Sequence, residues 1–462
     1  MVGYLKEVFI SGVSLFFFMF HCTLVSGAFF DGVDEASKSV MKEAQERIEK
    51  IRKGDFIVEF RDEKGNPVNR YAQIRLVHHE FQFGANLCPV LRLPENNPAR
   101  KVALEVIDEL FSLVRVGNFW SVEEPVQGGP LNWELTDEGV NWALSHGKEM
   151  RYHCIIYNMD YAIPKWYRNV RSSQEWWRLI EKRIKDVADK YGKIIHEYDL
   201  INEMIMNLPW ADKHNSLFPS LGNPENAARI FRIAKKYLPR AKLVMLETHL
   251  CTLKNPHYQK VYKYYKETLN LGAPVDVVGF QGHFYGGGQM PISEGHPQAG
   301  PGAFTMKVIS DCLDHLATLG KPIHITEYNP PSRMKTRRGH QPGLSEEEIA
   351  KWTVNYYTLV FSKPYINQLT RWFVIDGCGG NAQDGGLVAV DGRKKQSYYA
   401  LKKLLKETWT TRWKGRLKDG QVSFRGFFGE YEAKVSGYKP VRFKLYSDDA
   451  RNIAVRLEKE EH

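Results

Sequence analysis

The run HEYDLINEM, residues 196–204, reads as a buried strand that stops abruptly at Asn202-Glu203, with Leu200 and Ile201 supplying the apolar bulk. A carboxylate at the C-terminal end of a strand in an α/β chain is where barrel enzymes place their chemistry. Capping the next helix, or pairing with a surface arginine, is the competing use of Glu203. A second strand of the same design, PIHITEYN (322–329), carries Glu327 at its end. Two strand-end glutamates in one barrel meet the requirement of glycoside hydrolysis, in which one carboxyl protonates the leaving oxygen and the other attacks or assists from the opposite face.

Outward from these two, apolar strands alternate with helical stretches from Phe81 onward. The strands are FQFGANL (81–87), LVRVGNF (113–119), MRYHCIIYN (150–158), HEYDLINE (196–203), KLVMLET (242–248), VDVVGFQGHF (275–284), PIHITEYN (322–329) and QLTRWFVID (368–376). Helical segments such as SSQEWWRLIEKRIKDVADKYG open with a serine or an acidic first turn, as helix starts prefer. Eight such units with polar residues at the strand ends predict an α/β fold, a (β/α)8 barrel. A doubly wound sheet is the alternative, weakened because no glycine-rich phosphate fingerprint follows the first strand.

The flanks read differently. Asp34–Arg52 predicts an amphipathic, charged helix, and residues 54–81 predict a hairpin around Lys64-Gly65-Asn66-Pro67, with Phe56, Val58 and Phe60 on its buried face. Beyond the last barrel helix, QSYYALKKLLKETW, the chain turns to short alternating strands with glycine turns. About 50 residues is thin for an independent core. The tail is therefore expected to join the N-terminal hairpin in one small β-sandwich against the barrel. The divisions expected are a signal peptide at 1–28, the N-terminal helix and hairpin at 29–80, the catalytic barrel at 81–410 and the C-terminal β region at 411–462.

Composition narrows the partners. The net charge is +10, but cations alternate with anions along helices such as VMKEAQERIEKIRK, the pattern of a solvated face and not of a nucleic-acid arm. No nucleic-acid partner is expected. Eleven Trp and 23 Tyr leave flat rings to spare for sugar faces. Lys6, the apolar run VFISGVSLFFFMF and the small residues VSGA read as a secretory signal cleaved near Gly27 or Ala28. That run is shorter than the roughly 20 apolar residues of a membrane span, so a secreted monomer without stable membrane insertion is expected, with an uncleaved anchor as the alternative. Removing Cys22 leaves an odd number of cysteines, several of them read as small buried thiols in strands. No Cys/His metal spacing occurs, and neither metal nor cofactor is expected.

In the carboxylate reading, Asn202 is placed to donate to the sugar 2-hydroxyl, and Gln281 and His283, in FQGHF, to hydrogen-bond the carboxylates. A satisfied core histidine is the competing reading of His283; Gln281, two residues earlier on the same face, favours the site. Like-charge repulsion is expected to raise the acid, while hydrogen bonds hold the nucleophile ionised.

These motifs resemble glycoside hydrolase family 10, the retaining β-1,4-xylanases. YDLINE resembles the family's WDVVNE, which implies that Glu203 is the acid/base. ITEYN resembles ITELD, which implies that Glu327 is the nucleophile. FQGHF resembles the strand-six motif that brings Gln281 and His283 into the site. RYHCIIYNMDYAIPKW (151–166) resembles RGHTLVWH…PxW, so His153 and Trp166 carry over, and TRWFVID brings Trp372 over the sugar. The resemblance covers about residues 81–408 and implies an endo-β-1,4-xylanase acting on polysaccharide or oligosaccharide.

Two motifs depart from the family. Tyr157-Asn158 stands where the family has Trp-His; Asn158 can hydrogen-bond substrate but cannot be cationic. The family's ENxxKW after strand two is replaced by NFWSVEEPVQGG, in which Trp120 and Glu124 are the residues able to contribute. The basic loop Pro330–Gln341 suggests that Arg337 or Arg338 meets a uronic acid substituent. A related barrel glycosidase on another β-glycan, or a carbohydrate-binding protein without catalysis, remain open at this point.

Overall fold

The structure is a computed structural model that describes residues 30–157, 159–205, 222–247, 253, 255–284, 304–336, 339–341, 343–378 and 384–460. The predicted signal segment therefore lies outside the described residues. Helix Glu35–Ile51 begins the described chain, N-capped by Asp34, whose side chain accepts from Ser37 N. It leads into β1 (Lys53–Arg61) and β2 (Tyr71–His79).

The barrel follows. Its strands are β3 (Gln82–Asn86), β4 (Leu113–Val116), β5 (Glu149–Tyr157), β6 (Glu197–Asn202), β7 (Lys242–Glu247), β8 (Val277–Phe280) and β9 (Ile323–Tyr328). A small hairpin intervenes, β10 (Met334–Thr336) with β11 (Gly339–Gln341), before the eighth barrel strand, β12 (Ile366–Arg371). The eight close in the order β12-β3-β4-β5-β6-β7-β8-β9, every pair parallel. All eight predicted strands are present, and the fold is a (β/α)8 barrel. Its helices start where side chains can cap them. Asn97, Asn223 and Asn255 each accept from a first-turn amide and are each followed by proline, whose fixed φ suits the first helical position. Ser345 and Glu348 form a reciprocal capping box.

The flanks correct one expectation. The turn at Lys64–Pro67 forms: Asp62 Oδ1 accepts from Lys64 N and Asn66 N, and Gly65 has φ 85°. Val68 N donates to Phe60 O, but the strands then diverge and do not pair as a hairpin. β1 joins one sheet, in the order β14-β1-β17, and β2 the other, in the order β13-β2-β15-β16, where β13 is Arg412–Arg416, β14 Gln421–Phe427, β15 Gly429–Val435, β16 Val441–Leu445 and β17 Asn452–Arg456. The physical reason is that each strand finds longer partners in the tail: β1 pairs with β14 from Lys53 to Glu59, and β2 with β15 from Ala72 to His79. The shared core includes Phe56, Val58 and Phe60 from β1, Ile74 from β2, and Tyr431, Phe443 and Leu445 from the tail. The sandwich meets the barrel's N-terminal end through Arg52, which donates to Phe361 O, Lys363 O and Ile366 O at 2.7–2.8 Å.

The thiols also need correcting. Among the described residues Cys88, Cys154, Cys312 and Cys378 are free, and Cys154 alone of these lies in a strand. Cys88 and Cys312 are buried in helices.

Candidate active site

The barrel axis is filled with charge. Near the N-terminal end of the strands, Glu197 Oε1 accepts from His324 Nδ1 at 2.9 Å and Gln368 Nε2 at 3.1 Å. Arg151, fully buried, donates from Nη2 to Thr326 O at 2.7 Å and from Nη1 to Asp199 Oδ2 at 2.6 Å. Burial, the largest influence on Asp199, pushes its carboxyl up, but Arg151 and the His153 hydrogen bond together hold it below its ordinary value. An ionised Asp199 only accepts, so the 2.7 Å contact to His153 Nδ1 is donated by the imidazole. His153 Nδ1 lies 3.8 Å from Glu327 Oε1. A continuous polar column thus climbs from the barrel floor to Glu327.

At the top, one nitrogen touches both glutamates. Gln281 Nε2 donates to Glu203 Oε1 at 2.8 Å, to Glu327 Oε1 at 3.3 Å and to Asn202 Oδ1 at 3.2 Å. These two carboxylate oxygens can therefore be no more than about 6 Å apart. Asn202 and Glu327 are buried, whereas Glu203 is half-buried. Glu203 has φ 53°, a left-handed backbone that costs a non-glycine residue of order 1–3 kcal/mol and collects at functional sites. Its amide donates to Leu246 O, which holds the residue in this conformation. Its Oε2 accepts from Tyr157 OH at 2.8 Å, and Tyr157 in turn accepts from Tyr161 OH at 3.1 Å.

Glu327 Oε2 faces His283 Nε2 at 3.1 Å. The tautomer follows from the next residue along. Phe373 N donates to Asn329 Oδ1, so the Asn329 amide presents Nδ2 to His283 Nδ1 at 2.9 Å. Nδ1 must accept, the proton sits on Nε2, and the imidazole donates to Glu327. Burial pushes His283 down to about 4, so it is neutral at pH 7. Glu327 departs from expectation: burial outweighs the pull of His153, Arg151 and Arg115 and pushes its carboxyl up to about 7. Desolvation, not hydrogen bonding, dominates this carboxyl.

Trp372 is set against the pair. Its ring packs edge-on against His153, with centroids 5.2 Å apart, and Arg115 lies 5.5 Å from its centroid. Trp166 stands apart: Nε1 donates to Glu124 O, and its ring packs on Trp120 and Tyr167. Trp120 and Glu124, expected to replace the missing strand-two groups, do not present themselves to a ligand. Both are buried; Trp120 Nε1 donates to Glu124 Oε2, while Lys182 Nζ and Gly128 N occupy Glu124 Oε1. Their polar atoms are consumed locally, which is why they cannot take the expected role. Asn158, Arg337 and Arg338 lie outside the described residues.

The fold thus brings Glu203, Glu327, Asn202, Gln281, His283, His153 and Trp372 to one place and adds Tyr157, Asp199 and Asn329, which the motifs do not mark. Asp199 carried a signal, since an aspartate within an apolar barrel strand demands a partner.

The sequence model of glycosyl hydrolase family 10 matches residues 86–403. Endo-1,4-beta-xylanase 2 of Arabidopsis thaliana is 25% identical over 321 residues, 68% of this chain and 26% of the relative. The anti-sigma-I factor RsgI6 of Acetivibrio thermocellus is 25% identical over 398 residues, 85% of this chain and 46% of the relative. The chain thus spans a quarter to a half of the length of these curated relatives. Xylanase 10B from Thermotoga petrophila, solved with xylobiose, superposes with a TM-score of 0.56 at 19% identity, covering 71% of this chain and 95% of that one; this likeness concerns the fold. With the family's sequence model spanning the whole barrel from the end of β3 to the last helix, the chain belongs to glycosyl hydrolase family 10.

Proposed function

We propose that this protein is a secreted, monomeric, retaining glycoside hydrolase that cleaves a β-1,4-linked plant polysaccharide, most simply a xylan backbone, in endo fashion. The observation that carries the reading is the single Gln281 nitrogen within hydrogen-bonding distance of both Glu203 and Glu327, because it brings an oxygen of each carboxyl within about 6 Å of the other, compatible with the roughly 5–5.5 Å of retaining pairs. Family membership and the xylanase relatives support the substrate class. The apolar run at residues 8–20 supports secretion.

The roles follow from exposure and bonding. Glu203, half-buried, exchanges protons with solvent and gives one to the leaving glycosidic oxygen. Glu327, buried and held by Gln281 and the His283 Nε2–H, attacks the anomeric carbon and forms the glycosyl-enzyme. Glu203 then takes a proton from the water that releases the sugar. Asn202 sits beside the pair, where it binds the 2-hydroxyl; Trp372 covers the sugar ring. Asn158 and Trp166 belong, in this reading, to the neighbouring subsite.

The test is reducing-sugar release over xylan, arabinoxylan, glucuronoxylan, β-glucan and mannan, with Glu327→Ala as control. Release from the xylans that disappears in Glu327→Ala supports the reading. Release confined to β-glucan or mannan moves the substrate. Release that survives Glu327→Ala removes the mechanism, and no release from any glycan makes the protein a binder.

A further inference from the structure

The solvent face of the sheet β13-β2-β15-β16 is strongly basic. Burial alternates along its strands. Ala72 and Ile74 of β2 point into the sandwich core while Tyr71, Gln73 and Arg75 are exposed. Pairing carries this alternation across the sheet. Arg412, Lys414 and Arg416 of β13 stand opposite Arg75, Gln73 and Tyr71 and are all exposed. On the other side, Lys434 stands opposite Gln73, and β16 adds the exposed Arg442 and Lys444. Seven cationic side chains thus share one face with two carboxylates, Glu430 and Glu432. Among the described ion pairs, Arg75 alone of the seven has a partner, Glu432 at 2.9 Å.

An ordinary solvated surface intersperses both signs. Here adjacent strands lie about 4.8 Å apart and alternate residues about 6.8 Å along a strand, so the cations form a grid whose fields add. Across β13, β2 and β15 the cations Arg75, Arg412, Lys414 and Lys434 border a groove that Gln73 and Glu432 also line. Trp413, opposite Ile74, turns instead to the sandwich core, its ring lying over Gly415.

We propose that this face binds an acidic polysaccharide, a glycan chain carrying uronate carboxylates, and holds the barrel on its substrate. The cations supply the charge complement. The exposed Tyr71 supplies an apolar face on which a pyranose ring rests. The proposal rests on the reading of the barrel as a hydrolase of polymeric glycan, since that reading selects a sugar polymer over other polyanions.

The test uses the full chain carrying Glu327→Gln, so that binding is read without hydrolysis. Retardation is measured in native affinity gels containing glucuronoxylan, polygalacturonate or neutral arabinoxylan, alongside sedimentation with vesicles of phosphatidylserine and phosphatidylcholine. The expected result is stronger retardation by the two acidic polymers than by neutral arabinoxylan, which the barrel cleft alone holds, and this excess is the readout. It should weaken roughly tenfold in Arg412→Glu/Lys414→Glu/Lys434→Glu, and vanish at 1 M salt, where screening reaches down to roughly 3 Å. Tyr71→Ala should weaken it without changing the salt dependence. Equal retardation of the charge-reversed variant, retardation by the neutral polymer alone, or tighter binding to anionic vesicles than to either acidic polymer overturns the proposal. The charge-reversed variant on a Glu327 background should hydrolyse a short aryl β-xyloside like its parent. A parent inactive on every glycan that still binds acidic polymer would sink the proposed activity and leave this surface standing.

Discussion

Tyr157 at the end of β5 donates its phenolic hydrogen to Glu203 Oε2 at the end of β6, across 2.8 Å. Tyr157, standing where the family has Trp, thus adds a hydrogen bond inside the site. Burial, and then the Glu203 charge, pushes the phenol well above its ordinary range, so Tyr157 is a donor at every working pH. A donor to a carboxylate favours its charged form. Tyr157→Phe removes that preference, and the alkaline limb of kcat/KM should move to higher pH while activity falls by less than about 100-fold. A limb that stays in place would separate Tyr157 from the acid/base function.

Glu327 predicts an unusual acid limb. With its carboxyl pushed up to about 7 by burial, kcat/KM should fall on the acid side around that pH, and not near the roughly 4.3 of a free glutamate. A limb below pH 5 would show that burial does not govern the nucleophile.

The same group costs stability, and the sign follows from proton binding. The folded state binds the Glu327 proton more tightly than the unfolded state, whose value is near 4.5. Its contribution is therefore most favourable below pH 4.5 and is lost as pH rises through about 7. The loss is on the order of 3 kcal/mol. Glu327→Gln should match or trail wild type in melting temperature at pH 4 and exceed it at pH 8. Parallel melting curves across that range would contradict the buried-charge account.

Asn329 fixes the His283 proton on Nε2 by donating to Nδ1. Asn329→Asp turns that donor into an acceptor, which favours a doubly protonated imidazole. The His283 titration should rise from about 4, and the acid limb should move to lower pH, because an imidazolium stabilises the ionised Glu327. Imidazole NMR titration and the pH profile read both; an unmoved His283 would refute the tautomer assignment.

Asp199 holds Arg151 and His153 together at 2.6 and 2.7 Å. Asp199→Ala leaves the buried guanidinium with only Glu197, at 4.0 Å, as counter-charge and should cost about 3 kcal/mol in denaturant unfolding. Arg151→Met added to it should recover part of that loss. A double variant no more stable than the single would place the cost elsewhere.

Much of this was legible in the chain because the signals were local. Each barrel strand is a short apolar run followed by polar residues, and Glu203 and Glu327 mark strand ends. What was illegible depends on pairing in space. The Lys64–Pro67 turn looks like a hairpin, and only the tail strands, over 340 residues later, decide that β1 and β2 part. Trp120 and Glu124 looked like replacements for lost subsite groups because sequence shows residue types, not that each satisfies the other. Tyr157 was noted for what it displaced, and its bond to Glu203 depends on two neighbouring strand ends meeting. The basic sheet face escaped notice because its cations come from four strands spread over residues 75–444, none of them forming a run.

The central claim is that Glu203 and Glu327 act as a retaining pair. Proton NMR of the first products released from xylotetraose or xylohexaose reads it directly. The account predicts that the β-anomer of the new reducing end appears first and mutarotates later to the equilibrium mixture. Initial appearance of the α-anomer would contradict it.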